Sequence, residues 1–304
     1  MTLEPQPPGG PEPRYNGSGD RRMDAAAGYC RPGSIEEAIA LKSRFDGAAV
    51  FLAGGTDLML RLPRPFRGLL IDLRATGLDR VSLEGDALHI GAMVTAHRLA
   101  ADPFFRRRAP LLAAAALQLG SPQIRSCATI GGNAVNASPA ADLPCALAAL
   151  EATALLRGPD GERRLPVLAL ATGPGRTVCA SDELLVGFEV PLKDVRSAFE
   201  KLGLREAQAI AVSSVAVAAS FQAGGRISRL VVACGSVAPR IVRAASVEQA
   251  LVDVRPDRLS IEEASRLVLR DISPISDVRG SADYRRVATV GILRRALERV
   301  MPCS

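Results

Sequence analysis

Hydrophobic and polar positions divide the chain into short elements of two periods. Ser34-Ile35-Glu36-Glu37 has capping-box spacing, and Ile35, Ala38, Ile39 and Leu41 give the apolar stripe of a short helix that Gly47 stops. Ala48 to Ala53 is a continuous apolar run of strand length that empties into Gly54-Gly55. Val81 to Leu83 and Ala87 to Gly91 flank Gly85-Asp86 as a hairpin. Ala109 to Leu119 is an Ala/Leu-rich helix ended by Gly120, after which Ser121-Pro122 opens a loop leading to a second diglycine, Gly131-Gly132. A further apolar stretch, Cys145 to Leu156, reaches the Gly158-Pro159-Asp160-Gly161 turn and Arg163 to Val167. Thr172-Gly173-Pro174-Gly175 breaks regular structure, and Glu183 to Val190 is a strand closed by Pro191.

The character then changes, which places a domain boundary near 192–197. Val215, Val217, Ala219 and Phe221 alternate with small or polar residues, Gly224-Gly225 turns, and Ile227 to Cys234 returns as the second arm of an antiparallel hairpin. Ser260-Ile261-Glu262-Glu263 is another capping box. From Ser281 onward, Tyr284, Val287, Val290, Leu293, Leu297 and Val300 recur at the spacing of an amphipathic helix. The whole is α+β in at least two parts, behind a Pro/Gly-rich start over residues 1–26 that reads as a disordered tail.

Composition narrows the function classes. The 304 residues are 48% apolar and 23% charged, a globular balance with length for two domains. The net charge of +6 is spread along the chain, too mild for a nucleic-acid partner but suited to an anionic ligand. Cys30, Cys127, Cys145, Cys179, Cys234 and Cys303 form no C-x-x-C or C-x-C pair, so the local spacing of a zinc knuckle or iron–sulfur cluster is missing. They read as buried thiols of a cytoplasmic protein. No apolar run approaches the ~18 residues that cross a bilayer, and the start lacks the apolar core of a signal peptide. With two histidines, no tryptophan and neither H-E-x-x-H nor G-x-S-x-G, the side chains of a self-contained hydrolase or metalloenzyme are absent. An enzymatic role therefore calls for a cofactor.

The two diglycines are the candidate chemistry. In Phe51-Leu52-Ala53-Gly54-Gly55-Thr56-Asp57-Leu58, a buried strand ending in two glycines lets successive amides converge on a phosphate, and Thr56 adds a hydroxyl. Asp57 is expected to bond local amides and hold the turn. Taken alone, an ordinary strand-to-helix turn explains the segment equally well. Cys127-Ala128-Thr129-Ile130-Gly131-Gly132-Asn133 repeats the plan, and two such nests suit a ligand with two phosphates. Neither segment has G-x-G-x-x-G or G-x-x-x-x-G-K spacing. Asp142, beyond Asn136-Ala137-Ser138-Pro139, either accepts from a ribose or ring N–H or, more simply, caps the helix from Leu143. Arg106-Arg107-Arg108 and Arg294-Arg295 read as solvated faces.

These blocks resemble the FAD-binding medium subunit of the molybdenum hydroxylases, the xanthine dehydrogenase and carbon-monoxide dehydrogenase flavoprotein family. The resemblance rests on Ala53 to Leu58, on Gln123-Ile124-Arg125 running into Thr129 to Asn133, and on Asn136 to Pro139 with Asp142. Tyr29-Cys30-Arg31-Pro32, Ile90-Gly91-Ala92, Thr172 to Gly175, Ser197-Ala198-Phe199-Glu200-Lys201 and Asp277 to Arg285 extend it, in the family's order, across about residues 27–301. It implies a two-lobed FAD-binding domain of the vanillyl-alcohol oxidase (PCMH) type over 27–194, with lobes about 27–78 and 79–194. A CO-dehydrogenase flavoprotein-like C-terminal domain, an antiparallel sheet plus helices, would follow over 195–304. FAD would lie extended between the lobes. Phe51, Leu52, Ala53, Gly54, Gly55, Thr56, Asp57 and Leu58 would hold its pyrophosphate together with Thr129, Ile130, Gly131, Gly132 and Asn133. Asp142 would contact the cofactor, Leu119 and Leu185 would make apolar contacts, and Phe199 and Lys201 would fall near the flavin ring. Lys201 reads equally as a solvated surface lysine. His89 and His97 lie outside the glycine blocks, which argues against a histidyl–flavin bond, and no cysteine cluster accompanies Asp142 to hold an extra iron–sulfur cluster.

The resemblance further implies an electron-transfer subunit working with a large molybdopterin-binding subunit and a small [2Fe-2S] subunit, as a dimer of heterotrimers. FAD on this chain would pass electrons from the clusters to NAD+ or another acceptor, such as dioxygen or a quinone. The chain itself would hold no metal, meet no nucleic acid and span no membrane. The alternatives are a stand-alone flavin oxidoreductase of the same fold, and a non-redox interaction module whose glycine turns are only turns.

Overall fold

The computed structural model describes residues 28–301; the expected tail and Cys303 lie outside them. Strand β1 (Gly28–Cys30), helix α1 (Ile35–Phe45), β2 (Ala49–Leu52), α2 (Leu58–Arg61) and β3 (Leu69–Asp72) form a first α/β unit whose strands run parallel in the order β1-β3-β2. Ser34 starts α1 as its sequence suggests: its hydroxyl accepts the Glu37 amide at 3.1 Å, and the Glu37 carboxylate accepts the Gly33 amide at 2.8 Å. Ala38 and Ile39 on the inner face of α1 pack with Ile71 and Leu73.

The second unit opens with β4 (Val81–Glu84) and β5 (Ala87–Gly91), the hairpin expected, with Gly85 left-handed at φ 58°. Six helices follow: α3 (Ala96–Ala101), α4 (Pro103–Arg108), α5 (Pro110–Leu117), α6 (Pro122–Cys127), α7 (Ile130–Val135) and α8 (Asp142–Ala149). The apolar stretch 145–156 is thus two elements, the end of α8 and strand β6 (Thr153–Gly158). Strand β7 (Gly161–Pro166), a short α9 (Val167–Leu170), the small pair β8 (Ala171–Gly173) and β9 (Arg176–Thr177), and β10 (Leu184–Pro191) complete the unit. Its five-stranded sheet has the order β4-β5-β10-β6-β7, with β10 antiparallel to both neighbours.

Strands β11 (Arg196–Gly203), β12 (Ala211–Phe221), β13 (Ile227–Gly235) and β14 (Val242–Arg243) form an antiparallel sheet, followed by α10 (Ala245–Leu251), α11 (Arg258–Leu267) and α12 (Ala282–Val300). The alternation in β12 suggests one buried face, yet Ala211 to Ala219 are buried without a break. One face, with Val215 and Val217, packs on α12 through Leu293 and Leu297. Ala216 on the other face joins the core of α5 and α8 with Leu112 and Leu147. Helices distant in sequence cover what a local reading leaves to solvent.

Two helix readings shift. Helix α11 is capped by Asp257, not Ser260: the Ser260 amide reaches Asp257 Oδ1 at 2.7 Å and the Asp257 amide reaches Ser260 Oγ at 2.8 Å, so the reciprocal box sits one turn earlier. On α12, Tyr284 and Val287 face outward, while Arg285 and Thr289 face the core. The Arg285 side chain is 1% exposed; Nη1 donates to the carbonyls of Val212 and Ser236 at 2.9 and 2.8 Å, and Nη2 to Asp277 Oδ1 at 2.6 Å. Arg279 and Arg285 together hold the Asp277 carboxyl well below the usual carboxylate range. This network overrides the apolar stripe and rotates the first turns of α12. Of the cysteines described, Cys145 and Cys234 are buried, Cys30 and Cys179 half-buried and Cys127 exposed, so the expectation of buried thiols holds only in part. Burial pushes the Cys145 thiol up to about 12. Among the described residues no helix is long and apolar enough to cross a membrane.

Removing Arg285 takes one partner from Asp277, which Arg279 still holds, and leaves two carbonyls without their buried cationic donor. Arg285→Met should therefore cost about 3–5 kcal/mol in chemical denaturation, whereas Arg286→Met, which breaks an exposed pair with Asp283, should cost under ~1 kcal/mol. Equal losses would refute the assignment.

Candidate functional site

The parallel strands of the first unit bring their carboxyl ends to one edge, and there β2 runs into Gly54-Gly55. Between this edge and the second unit lies a cleft of about 480 Å³. One wall carries Phe51, Ala53 and Gly54 through Leu58; the other carries Leu119, Ala128, Thr129, Gly132 and Asn133. The position suits a ligand, because crevices outside the carboxyl ends of parallel strands are where open α/β sheets bind them.

Sterics explain the first diglycine. Gly55 has φ 70°, the left-handed region. Gly54 is required by approach: a Cβ there would stand 2.0 Å from the carbonyl oxygen of Cys127, at the end of α6. Among the described residues no acceptor takes the amides of Gly54, Gly55, Thr56 or Asp57. Asp57 departs from expectation. Its backbone is right-handed helical at φ −105°, ψ −44°, no side-chain cap forms, and its carboxylate instead lies 3.5 Å from the Arg61 guanidinium.

The second diglycine is not a turn with open amides. It opens α7, capped by Thr129, whose Oγ1 accepts the Gly132 amide at 3.1 Å. The Ile130 amide donates to Val94, that of Gly131 to Ala92 and that of Asn133 to Thr129, each at 2.9 Å. Two of these donors seat α7 on the segment 92–94 and two are taken up by Thr129 at the helix start, and Gly131 is small because a Cβ would meet Ala92 Cβ at 2.6 Å. The segment contributes a wall, the Thr129 cap and Asn133, whose Oδ1 is buried and without a hydrogen-bond partner among the described residues.

Leu52, Ile130 and Gly131 stand behind the cleft walls rather than on them, and neither histidine lines it. Leu185 on β10 and Phe199 on β11 are buried in the core beneath, at 4% and 3% exposure. Asp142 and Lys201 are brought together from α8 and β11, with Lys201 Nζ donating to Asp142 Oδ2 at 2.6 Å and to the Gln118 carbonyl at 2.9 Å, one residue from Leu119. Both side chains are 6% exposed, which overturns the surface-lysine reading. Asp142 is no cap either, since the cap position of α8 is Ala141. Burial pushes the Asp142 carboxyl up to about 6 against the pull of the Lys201 ammonium, and its Oδ1 has no partner.

The cleft also contains residues that motif reading passed over. Arg61 reaches across its mouth to donate to Asn136 Oδ1 at 2.7 Å, and Lys42 lines it while donating to the Ala49 carbonyl at 2.7 Å. The Asp57/Arg61 spacing of i, i+4 was a usable signal; nothing local marks Lys42.

Gly54→Ala should destabilise the chain by about 2–3 kcal/mol through overlap with the Cys127 carbonyl. Gly291→Ala, where a Cβ meets nothing within 4 Å, should be neutral or stabilise α12 by up to ~1 kcal/mol. Denaturant midpoints decide between them. Asp142 generates a pH dependence. Its folded pKa of about 6 lies above the unfolded value, so the folded state keeps a proton that the unfolded chain releases from about pH 4 upward. Its contribution is therefore fully present below about pH 4 and lost as pH rises through about 6, on the order of 2–3 kcal/mol. Wild-type minus Asp142→Asn stability, followed across that window, should fall accordingly; a flat or rising difference contradicts it.

Residues 22–193 match the family described as the FAD binding domain in molybdopterin dehydrogenase, and residues 197–300 match the CO dehydrogenase flavoprotein C-terminal domain. The chain is 34% identical over 278 residues to the carbon monoxide dehydrogenase medium chain of Afipia carboxidovorans, covering 89% of this chain and 95% of that one. It is 32% identical over 266 residues to the xanthine dehydrogenase FAD-binding subunit of Escherichia coli O157:H7, covering 85% and 90%. Among solved structures it is similar to CO dehydrogenase from Oligotropha carboxidovorans, with a TM-score of 0.86 at 32% identity, covering 91% of this chain and 98% of that one. Quinoline 2-oxidoreductase from Pseudomonas putida 86 gives 0.85 at 28% identity with the same coverage. Both halves match in order and the relatives align over nearly their full length, so the chain belongs to the FAD-binding medium subunits of the molybdenum hydroxylases.

Proposed function

We propose that the cleft binds FAD and that the chain is the electron-transfer subunit of a molybdenum-containing hydroxylase or dehydrogenase. The observation that carries the reading is the run of four unclaimed amides, Gly54 to Asp57, at the carboxyl edge of a parallel sheet. Such amides, with the Thr56 hydroxyl beside them, fit a pyrophosphate. The unpartnered Asn133 Oδ1 fits a hydroxyl or N–H donor of the ligand. Phe51, Leu58, Leu119 and Ala128 supply apolar wall that keeps water from the ligand. Bound FAD would supply the redox chemistry, taking electrons from the [2Fe-2S] clusters of a small partner subunit fed by a large molybdopterin subunit, and releasing them to NAD+ or another acceptor.

This chain's own work is then to bind and orient. Arg61 and Asn136 bridge the two walls at the mouth, and Lys201 ties β11 to the end of α5 beside Leu119. We assign the FAD-binding domain to 27–194 and the C-terminal domain to 195–304, in a cytoplasmic dimer of heterotrimers. Relatives named as the medium chain of carbon monoxide dehydrogenase and the FAD-binding subunit of xanthine dehydrogenase support the assembly.

Titration of the flavin-stripped full chain, read by flavin fluorescence quenching, tests the reading. One FAD should bind per chain, FMN should bind roughly 100-fold more weakly, and Gly55→Val, forced into a left-handed backbone, should weaken FAD by a similar factor. A chain that takes up no flavin, or that does not distinguish FAD from FMN, rules the proposal out.

A further inference from the structure

A second cavity, of about 170 Å³, lies where the second unit meets the C-terminal sheet. Its rim holds Arg107 and Arg108 at the end of α4, Lys193 in the connection from β10 to β11, and Arg229 on β13, against the two carboxylates Glu151 and Asp194. The lining thus carries a surplus of two positive charges. Glu151 is already committed, because Lys193 donates to it at 2.8 Å and Arg229 lies against both of its oxygens. Arg107 and Arg108 have no hydrogen-bond or ion-pair partner among the described residues. The Ser197 hydroxyl, also on the lining, is shut off from solvent and unpartnered. Helix α5 starts on the same lining at Pro110, without a side-chain cap.

None of these features alone defines a site. Together they put unspent guanidinium donors, an unspent hydroxyl and a matching charge surplus around one enclosed space. We propose that this cavity binds a phosphate dianion, free or as the terminal group of a phosphomonoester. Guanidinium forks match the tetrahedral oxyanion in pairs, and the dianion cancels the surplus. The cavity is smaller than the roughly 300–1,000 Å³ of pockets that enclose drug-sized ligands, so any larger part of an ester remains outside. The walls come from both sides of the junction, and the bound anion therefore ties the C-terminal sheet to α4 and α5. The site is separate from the cleft: α5 spans about 12 Å at ~1.5 Å per residue between Pro110 and the Leu117 end. The proposal does not rest on the FAD reading.

The test is thermal unfolding of the full chain, with FAD present, titrated with inorganic phosphate at ionic strength held constant with sodium chloride. The midpoint should rise saturably with phosphate, as for any ligand of the folded state, and not with chloride. In Arg107→Gln/Arg108→Gln, whose altered side chains are exposed, the midpoint without phosphate should be unchanged and the phosphate response roughly tenfold weaker or lost. Arg106→Gln, which removes an equal charge off the cavity lining, should respond as wild type. A parallel titration with adenosine 5′-monophosphate separates the sources: tighter binding than phosphate marks an esterified ligand, equal or weaker binding the free anion. No saturable rise above chloride, or a rise preserved in the double variant, overturns the proposal. Neither result depends on whether FAD itself binds in the cleft.

Discussion

The backbone of the first unit lies against the carbonyl of Cys127, and only a residue without a side chain permits it. That approach sets the width of the cleft. It places the open amides of Gly54 to Asp57 and the Thr129 cap of α7 on facing walls of one cleft. The opposite wall is held in turn by the amides of Ile130 and Gly131, which anchor α7 to Val94 and Ala92. The two diglycines thus do unlike work: one admits the backbone of the neighbouring unit and leaves its amides open, the other lets a helix seat closely.

Buried charge joins the C-terminal sheet to the rest. Lys201 spans from β11 to Asp142 on α8 and to the last turn of α5, and Arg285 holds the start of α12 to β12 and to the loop after β13. The two networks differ in how well they are satisfied. Arg285 places both of its terminal nitrogens on oxygens and leaves only Nε bare, whereas Asp142 keeps one of its two oxygens bare, and desolvation there outweighs the attraction of the lysine. A buried carboxyl whose pKa is raised and one of whose oxygens is bare responds to its surroundings in a way that a fully paired one does not.

Local signals in the sequence read well where the interaction is itself local. The Ser34 cap, the Gly85 hairpin and the β12–β13 pair all depend on neighbours within one turn or one hairpin. A local motif can also be out of register: Asp257 caps α11 in place of Ser260 because Asp257 and Ser260 bond reciprocally one turn before the Ser260–Glu263 spacing. Tyr284 and Val287 have helical spacing, but the pull of Arg285 toward distant carbonyls decided which side of α12 faces inward.

From residue order alone came the two periods of the elements, the glycine-bounded segments that form the cleft, and the family resemblance that the matched domains bear out. Each depends on adjacent residues, whose geometry the covalent chain already constrains. Tertiary structure decided the rest: which diglycine keeps its amides, the pairing of Asp142 with Lys201, the burial of both faces of β12, and the cation-lined cavity at the junction. Those depend on groups far apart in the chain, and their desolvation and partners exist only once the units have packed.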